Sequence, residues 1–341
     1  MNKTAIITGV TGQMGSYMAD YLINQGITVI GTVRRLSVPN EENLKQLSHR
    51  DKISFELMDL GDSHSINNVI KKYQPDYFIN CAANSFVGSS WDCPEQHMDF
   101  NALGVLRQLE AIRQYSPDTR YYNFGSSEEF GDVQCSPQDE NHPARARSPY
   151  GASKIAARQI IKVYRESYNL FAIQGWHFNY ESERRGCEFV TRKITKNVAR
   201  ISEEIRLGKT VKPLELGNIN AQRDWSHCLD IVQGAWLMIN QKEPKEYVLS
   251  SNETHTIREF VEAAFAFAGF GREQCQWVGK GLGEKYMHGD NVLVAINPDY
   301  YRPAEVELLL GDSTKIREEL GWKPETDFLG LVRKMVENDL K

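Results

Sequence analysis

The sequence lacks any closely spaced pair of cysteines. Its six cysteines are scattered along 341 residues, at Cys81, Cys93, Cys135, Cys187, Cys228 and Cys275. This spacing supports neither a zinc site nor a disulfide framework, so we expect no bound metal. The pattern predicts reduced thiols in a cytoplasmic protein.

The chain also lacks an excess of positive charge and any long apolar run. Its net charge of −5 gives no sign of a protein that binds nucleic acid or an anionic membrane. The apolar run at the N-terminus is too short for a signal peptide. No run approaches the roughly 18 residues that a transmembrane helix needs. With 41% hydrophobic and 25% charged residues, the composition is that of a soluble globular protein.

What the chain does contain is a regular alternation of apolar, β-rich runs with helical patterns. This alternation predicts a Rossmann-type, doubly wound parallel sheet over residues 1–180, to which 225–252 return. Residues 181–341 are predicted to form a smaller, interleaved α/β domain on the C-terminal side. The predicted strands are 4–8, 28–33, 53–60, 77–83, 120–124, 171–179 and 247–251, and the predicted helices include 102–115, 149–168, 190–207, 227–242, 257–268, 314–320 and 327–339.

A glycine-rich turn follows the first predicted strand and precedes a helical pattern. Glycines let the backbone approach a pyrophosphate, and a helix N-terminus offers free N–H groups. The turn therefore predicts a dinucleotide site, the alternative being a tight turn that only packs. The predicted cofactor contacts of this turn are Gly9, Thr11, Gly12, Gln13, Met14 and Gly15.

The second predicted strand ends without an acidic residue. NAD enzymes usually place Asp or Glu there to accept from the ribose 2′-hydroxyl. Here Arg34 and Arg35 follow the strand, and guanidinium groups suit a 2′-phosphate. The sequence favours NADP over NAD, the alternative being that both arginines belong to a solvated loop.

Other strand ends complete the predicted cofactor site. Asp59 and Leu60 end the third strand, where adenine is expected. The fourth strand ends in the small residues Ala82 and Ala83, which let a cofactor lie close to the backbone. Ser85 follows them and completes this part of the predicted site.

The stretch SPYGASK places Tyr150 four residues before Lys154. On a helix this spacing puts both side chains on one face. An ammonium beside a phenol favours the phenolate, which can take a proton from a hydroxyl near neutral pH. The alternative is a surface pair that contributes roughly 0.2–0.5 kcal/mol.

Hydroxyl and carboxylate side chains follow the fifth predicted strand. Ser126 is placed to hydrogen-bond a substrate oxygen, the alternative being a backbone cap. Glu128 can act as a base if it points into the site. We expect Glu129 to face solvent.

The glycine turn, Ser126 and the Tyr150/Lys154 pair together resemble the extended short-chain dehydrogenase/reductase superfamily. The chain further resembles the GDP-mannose 4,6-dehydratase family through ordered blocks between residues 7 and 328. These blocks are ITGVTGQMGSY, VRR, NALGVLRQLEAIR, RSPYGASK, FNYESERRG, FVTRKIT, LGNINAQRDW, YYRPAEVELLLGD and GWKPETDF.

The resemblance implies an NADP-dependent lyase and a role for each catalytic position. Tyr150 would remove the C4 hydroxyl proton of the sugar while NADP accepts a hydride from C4. Ser126 would hydrogen-bond the same oxygen, and Lys154 would hold the nicotinamide ribose. Glu128 would remove the C5 proton, after which water leaves from C6 and the hydride returns there. The family's usual Thr is replaced here by Ser126, whereas the Glu is kept.

The resemblance also implies a site for a GDP-sugar in the second domain. Arg223 and Arg302 each stand in a stretch otherwise poor in cations, which suits a diphosphate. The family forms tetramers, so we expect a homotetramer or a homodimer. The implied substrate contacts are Ser85, Ser126, Glu128, Asn179, Arg184, Arg185, Val190, Lys193, Gly217, Arg223, Arg302 and Glu305.

Five positions depart from the family pattern and leave the sugar open. The family usually has Asp at 14, Gln at 84, His at 86 and 180, and an aliphatic residue at 176. This chain has Met14, Asn84, Phe86, Tyr180 and Trp176, of which the last four are expected beside the hexose pocket. The alternatives are a dehydratase of another GDP-sugar such as a GDP-heptose, a GDP-sugar 4-reductase or epimerase, and a non-catalytic NADP-sensing module.

Overall fold

The computed structural model describes residues 3–301 and 308–341. Its strands are β1 (Thr4–Thr8), β2 (Thr28–Val33), β3 (Ile53–Leu57), β4 (Tyr77–Asn80), β5 (Arg120–Phe124), β6 (Ala172–His177), β7 (Asn179–Glu181), β8 (Leu214–Leu216), β9 (Gln222–Arg223), β10 (Trp225–His227), β11 (Val248–Leu249), β12 (His255–Thr256), β13 (Cys275–Val278), β14 (Lys285–His288), β15 (Asn291–Ile296) and β16 (Leu308–Leu309). Its α-helices are α1 (Gln13–Asn24), α2 (Glu42–Lys45), α3 (Ser63–Tyr73), α4 (Pro94–Met98), α5 (Gly104–Tyr115), α6 (Pro149–Tyr168), α7 (Val190–Arg206), α8 (Cys228–Ile239), α9 (Ile257–Phe267), α10 (Thr314–Leu320) and α11 (Phe328–Asp339).

Seven strands of the described chain form one central sheet, in the order β3-β2-β1-β4-β5-β6-β11. Every neighbouring pair in it is parallel. The strand order reverses between β1 and β4. In sheets of this type the ligand crevice lies at that reversal, outside the carboxyl ends of the strands. The predicted doubly wound parallel sheet is confirmed.

Helices cover both faces of this sheet because its strands are apolar on both sides. Ile7 of β1 faces α1 and α8, where Met18 and Ile231 are buried with it. The neighbouring Ile6 faces the opposite way, into a core with Leu109 of α5 and Ile161 of α6. Burial of these side chains supplies the main free energy that holds the strand ends in place.

The helix predicted to start at residue 102 begins earlier. Helix α4 continues through a π turn at Asp99–Leu103 directly into α5. Asn101 of this turn is buried, and its Oδ1 accepts from the Asn84 N–H at 2.9 Å. Its Nδ2 donates to the Asn84 carbonyl at 3.0 Å and to the Ser153 Oγ at 3.0 Å. The loop after β4 is therefore held rigidly beside α6.

The second half of the chain builds a separate core and then returns to the first. Helices α7, α9 and α11 bury Val198, Phe260 and Leu331 against the sheet β13-β14-β15-β8. Strand β11 pairs with β6, and Trp322 after α10 donates its indole N–H to the Asp230 carbonyl at 2.8 Å. The domain limits at residues 180 and 225–252 remain a prediction. In the part of the chain that the structure describes, no helix is long and apolar enough to cross a bilayer.

Candidate active site

A cleft of about 320 Å³ opens at the carboxyl ends of the central strands, where their order reverses. It is bordered by the turn after β1, the ends of β2 and β4, and the first turns of α6. Arg35 is exposed outside this cleft, and the other predicted cofactor positions line it. These are Gly9, Thr11, Gly12, Gln13, Met14, Gly15, Arg34, Asp59, Leu60, Ala82, Ala83, Ser85, Tyr150 and Lys154.

The turn between β1 and α1 has room only for glycine at two positions. Gly9 has a φ of +62°, and a Cβ there would lie 2.9 Å from the Ala82 Cα. A Cβ on Gly15 would lie 2.3 Å from the Gly9 carbonyl oxygen. Within the described residues no side chain caps α1 at Gly12, so the first N–H groups of the helix face the cleft without a capping acceptor. This cradle fits the diphosphate of a dinucleotide.

The two arginines after β2 take different places. Arg34 lines the cleft at the end of β2, whereas Arg35 is exposed outside it. The Asp59 carboxylate accepts from the Gly61 N–H at 2.9 Å and shapes the turn after β3. Arg34 is therefore the arginine positioned to meet a group beyond the end of β2.

The N-terminus of α6 brings Tyr150 to the turn after β5. Ser148 caps the helix by accepting from the Gly151 N–H at 3.0 Å. A Cβ at Gly151 would lie 2.6 Å from the Glu128 carbonyl oxygen, so glycine allows the helix to pack closely on this turn. As a result, the Ser126 hydroxyl hydrogen-bonds the Tyr150 phenol. Glu128 lies half-buried beside them, and its charge raises the pKa of Tyr150.

Lys154 lies beside Tyr150, as the spacing predicts, but its ammonium is hydrogen-bonded to the backbone. Its Nζ donates to the Phe124 carbonyl at 2.7 Å and lies 5.8 Å from the centre of the Tyr150 ring. Burial raises the pKa of Tyr150 to about 12, and the largest opposing effects come from Ser126 and Arg185. Burial also lowers the pKa of Lys154 to about 8. The pKa of the phenol is therefore set by its burial, by these two neighbours and by the carboxylates of Glu128 and Glu129.

The expectation that Glu129 faces solvent is wrong. Its side chain is 0% exposed. It accepts from the Ser126 N–H at 2.8 Å and from the Arg158 Nε at 2.6 Å. The reason is that Ser127–Glu129 form one turn of 3₁₀-helix, which points consecutive acidic side chains in different directions.

Two adjacent arginines after β7 point in opposite directions. Arg185 lines the cleft, with its guanidinium 3.4 Å from the centre of the Phe189 ring. Arg184 instead donates to the Asp20 carboxylate and the Gln46 carbonyl, both at 3.0 Å. In the structure Arg184 thus holds α1, and its contact with substrate stays a prediction.

The remaining predicted substrate positions continue from Arg185 into the second half of the chain. Phe189 leads into α7, whose Lys193 places its Nζ 3.7 Å from the centre of the Tyr300 ring. A Cβ at Gly217 would lie 2.6 Å from the Tyr300 carbonyl oxygen, so this glycine packs on the same residue. Val190 begins α7, Asn179 begins β7, and Arg223 lies on β9 beside β12 and β16. The remaining two predicted positions, Arg302 and Glu305, lie outside the described residues.

Of the four departures expected beside a hexose pocket, two line the cleft. These are Asn84 and Tyr180. Phe86 lies nearby and packs edge-on against Phe189, with ring centres 5.7 Å apart. Trp176 does not lie there, because its ring stacks under the Arg158 guanidinium at 3.5 Å. Trp176 is therefore not expected to affect which sugar the cleft accepts.

Several lining residues were not predicted from the sequence. Thr32, Val33 and Phe124 stand at strand ends, which is the signal that could have identified them. Phe100 reaches the cleft from the π turn before α5. A π turn has no sequence pattern strong enough to predict it.

The described cysteines and acidic side chains build no metal site. All six cysteines lie in the described ranges and are free thiols. Within residues 3–301 and 308–341, no group of three or more His, Cys, Asp or Glu side chains is placed to hold a metal ion.

Comparison with known proteins identifies the family. The family model described as GDP-mannose 4,6 dehydratase matches residues 6–335. The chain belongs to the GDP-mannose 4,6-dehydratase family. This confirms the resemblance stated from the sequence blocks.

Relatives match the dehydratase chain over its whole length. It is 43% identical over 347 residues to the GDP-mannose 4,6-dehydratase of Sinorhizobium fredii (strain HH103), covering 99% of this chain and 97% of the relative. It is 40% identical over 349 residues to the GDP-mannose 4,6 dehydratase of Homo sapiens, covering 99% and 92%. The structure of RMD from Pseudomonas aeruginosa complexed with NADPH covers 99% of both chains with a TM-score of 0.78. At 21% identity, that likeness shows the fold alone.

Proposed function

We propose that this protein is a lyase that removes water from GDP-D-mannose and forms GDP-4-keto-6-deoxy-D-mannose. Family membership and the names of full-length relatives support this activity. The observation that carries the proposal is the convergence of Ser126 and Glu128 on Tyr150, which lines the cleft. This set offers an acid–base group for C4 and a separate carboxylate for C5.

We propose NADP as the cofactor, held by the glycine turn and by Arg34. Fold neighbours are complexed with NADPH or with NAD, which supports a nicotinamide cofactor, and the choice of NADP rests on Arg34. When bound there, NADP would supply the acceptor for a hydride from C4 and its donor to C6. The cleft's burial of Tyr150 and Lys154 keeps water from the reacting groups.

The residues of the chain divide the proton transfers between them. Tyr150 takes the C4 hydroxyl proton, and the Ser126 hydroxyl holds the same oxygen. Oxidation at C4 makes the C5 proton acidic, and Glu128 removes it. The departing water at C6 needs a proton, which Glu128 then carries back. Lys154, held by the Phe124 carbonyl, orients the ribose of the cofactor.

We propose that Arg185 and Lys193 meet the diphosphate of the substrate. Both cations lie on the path that runs from the cleft over Phe189 to Tyr300. Burial lowers the pKa of Lys193, so an anionic partner would favour its charged form. Asn179, Val190, Gly217, Arg223, Arg302 and Glu305 complete the proposed GDP site.

The proposed activity is tested by mass spectrometry of GDP-mannose incubated with the purified protein and no added cofactor. We expect a product lighter by one water, because the cofactor that remains bound is regenerated within each turnover. An unchanged mass would indicate an epimerase. A strict need for added NADPH would indicate a reductase. No turnover of any GDP-sugar, together with thermal stabilisation by NADP, would support a sensing module.

Replacement of Arg34 by Ala should weaken NADP binding by about tenfold to a hundredfold and leave NAD binding unchanged. A charge-assisted hydrogen bond contributes about 1.5–3 kcal/mol, and the 2′-phosphate is the group that distinguishes the two cofactors. Arg35→Ala is the matched control, since Arg35 lies outside the cleft. Isothermal titration with both cofactors measures the difference. Equal losses for NADP and NAD would contradict this role of Arg34.

A second candidate substrate is another GDP-sugar, such as a GDP-heptose. The observation that favours it is the position of Asn84 and Tyr180 in the cleft wall, where they replace the family's Gln and His. Competition between GDP-mannose and a GDP-heptose in one reaction gives the ratio of their kcat/KM values. A ratio in favour of the heptose would replace mannose as the substrate.

We also propose a cytoplasmic homotetramer or homodimer. The free thiols support the location. The loop after β2 exposes Leu36 and Val38, the latter 82% exposed, which suits contact with another copy of the chain.

A further inference from the structure

A row of buried polar side chains crosses the central sheet beneath the cleft. It contains Thr8, Asn80, Asn123 and Gln174, one from each of β1, β4, β5 and β6, and their backbones are in direct register. Each is at most 4% exposed. The Thr8 Oγ1 donates to the Asn80 Oδ1 at 2.6 Å, and the Asn80 Nδ2 donates to the Asn123 Oδ1 at 2.7 Å. The Asn123 Nδ2 then donates to the Gln174 Oε1 at 2.5 Å.

The row runs in one direction and ends on Glu129. Each amide donates to the next side chain, and the Gln174 Nε2 donates to the Glu129 Oε1 at 3.0 Å. An ionised carboxylate only accepts hydrogen bonds, so it can end such a row. Arg158 balances the buried charge, with its Nε 2.6 Å from the Glu129 Oε2. The Glu129 Oε1, which accepts from Gln174, also accepts from the Ser126 N–H at 2.8 Å.

We propose that Glu129 is a positioning residue that sets the active-site hydroxyl of Ser126 through its backbone. The Ser126 N–H is held by Glu129, and its hydroxyl caps the next turn by accepting from the Glu128 N–H at 3.2 Å while it hydrogen-bonds the Tyr150 phenol. This inference rests on the proposed function, which assigns the chemistry to these two side chains. The hydrogen-bonded row also connects Glu129 to Thr8. The Thr8 Oγ1 accepts from the Ala82 N–H at 2.9 Å in the cleft wall.

A second carboxylate, that of Glu246, also pairs with Arg158 and provides a control for a purely structural role. Glu246 accepts from the Arg158 Nη1 at 2.8 Å and from the Arg165 Nη1 at 3.0 Å. Glu246 therefore shares the ion pair with Arg158. The two carboxylates differ in the backbone that they hold. Glu246 accepts from the Gln174 N–H at 3.2 Å, whereas Glu129 accepts from the Ser126 N–H. The Glu246 side chain is 13% exposed, whereas that of Glu129 is fully buried.

The charge of Glu129 also reaches the reacting phenol. Tyr150 is faced by the carboxylates of Glu128 and Glu129, the guanidinium of Arg185, the ammonium of Lys154, the phenol of Tyr180 and the ring of His97. Both carboxylates raise the pKa of Tyr150. Removing the Glu129 charge should therefore shift the rise of kcat with pH toward lower pH, since the phenolate forms more easily.

The test compares three variants of the full-length protein with wild type. They are Glu129→Gln, the double variant Glu129→Leu with Arg158→Leu, and the control Glu246→Gln. The double variant removes both buried charges together, which avoids an unpaired ion that could prevent folding. Each is measured for kcat and KM across pH, for Tm, and for amide hydrogen exchange in segment 125–130.

We expect Glu129→Gln to move the pH midpoint of kcat downward. The double variant should lower kcat by roughly tenfold to a hundredfold with KM unchanged, because the hydroxyl is no longer aimed. Glu246→Gln should lower Tm and leave kcat and the pH midpoint as in wild type. If all three variants lower Tm alike and none changes kcat or the pH midpoint, Glu129 is structural and the inference is wrong.

The wild-type reaction distinguishes failure of the inference from failure of the proposed function. If wild type dehydrates no GDP-sugar, the proposed function fails. The inference is then decided by hydrogen exchange alone. Faster exchange of segment 125–130 in the double variant than in Glu246→Gln supports the anchor at Ser126, and equal exchange overturns it.

Discussion

Replacing Tyr150 with Phe should lower kcat by roughly a hundredfold to ten-thousandfold, the range that positioned acid–base groups contribute. The phenol lines the cleft and is hydrogen-bonded to Ser126, so its loss removes the group that we propose takes the C4 hydroxyl proton. The ring that Phe retains keeps the contact with His97, so KM and Tm should change little. Single-turnover absorbance of reduced nicotinamide measures the oxidation of C4 directly.

Tyr164→Phe is the matched control for this result. Tyr164 lies on the same helix, α6, and its hydroxyl donates to Glu110 at 3.0 Å, away from the cleft. The control should keep wild-type kcat. A Tyr150→Phe enzyme with normal single-turnover oxidation would show that another base serves C4.

Replacing Glu128 with Gln should separate the two halves of the reaction. We expect C4 oxidation to persist, because Ser126 and Tyr150 remain in place. Exchange of the C5 proton with solvent and release of water should fall by roughly a hundredfold or more, since an amide cannot take a proton. Incubation in deuterated water followed by mass spectrometry reads both events, as deuterium at C5 and as loss of water.

The result for Glu128 depends on a control that changes charge without touching the site. Glu95→Gln serves this purpose, because Glu95 is an exposed acid in the first turn of α4. It should exchange C5 and release water as wild type does. Deuterium at C5 at the normal rate in Glu128→Gln would move the role of base to another side chain.

Strand ends account for most of what could be predicted about the cleft. Residues at the carboxyl end of a parallel strand meet at one edge of the sheet, whatever helices separate them in sequence. For that reason the sequence alone is enough to place the glycine turn, Arg34 and Ala82 in one site. The boundaries of the strands were less well predicted, as β3 ends at Leu57 and not at residue 60.

Side-chain partners far apart in sequence account for what could not be predicted. Glu129 meets Arg158, which lies 29 residues away, and Arg184 meets Asp20, which lies 164 residues away. Local periodicity carries no information about such pairs, since they depend on how α6 and α1 pack on the sheet. Glu129 was consequently predicted at the surface, and the contact of Arg184 with Asp20 was not predicted.

The sequence by itself determined the fold class and the family and supplied the set of candidate reactive side chains, because these follow from turn glycines, strand–helix alternation and ordered blocks. Only the tertiary structure decided which members of that set face the cleft. Lys154 turned toward the Phe124 carbonyl, and Glu129 turned inward to hold Ser126. The physical reason is that a buried charge takes the partner that packing offers, and that partner is chosen by the whole fold.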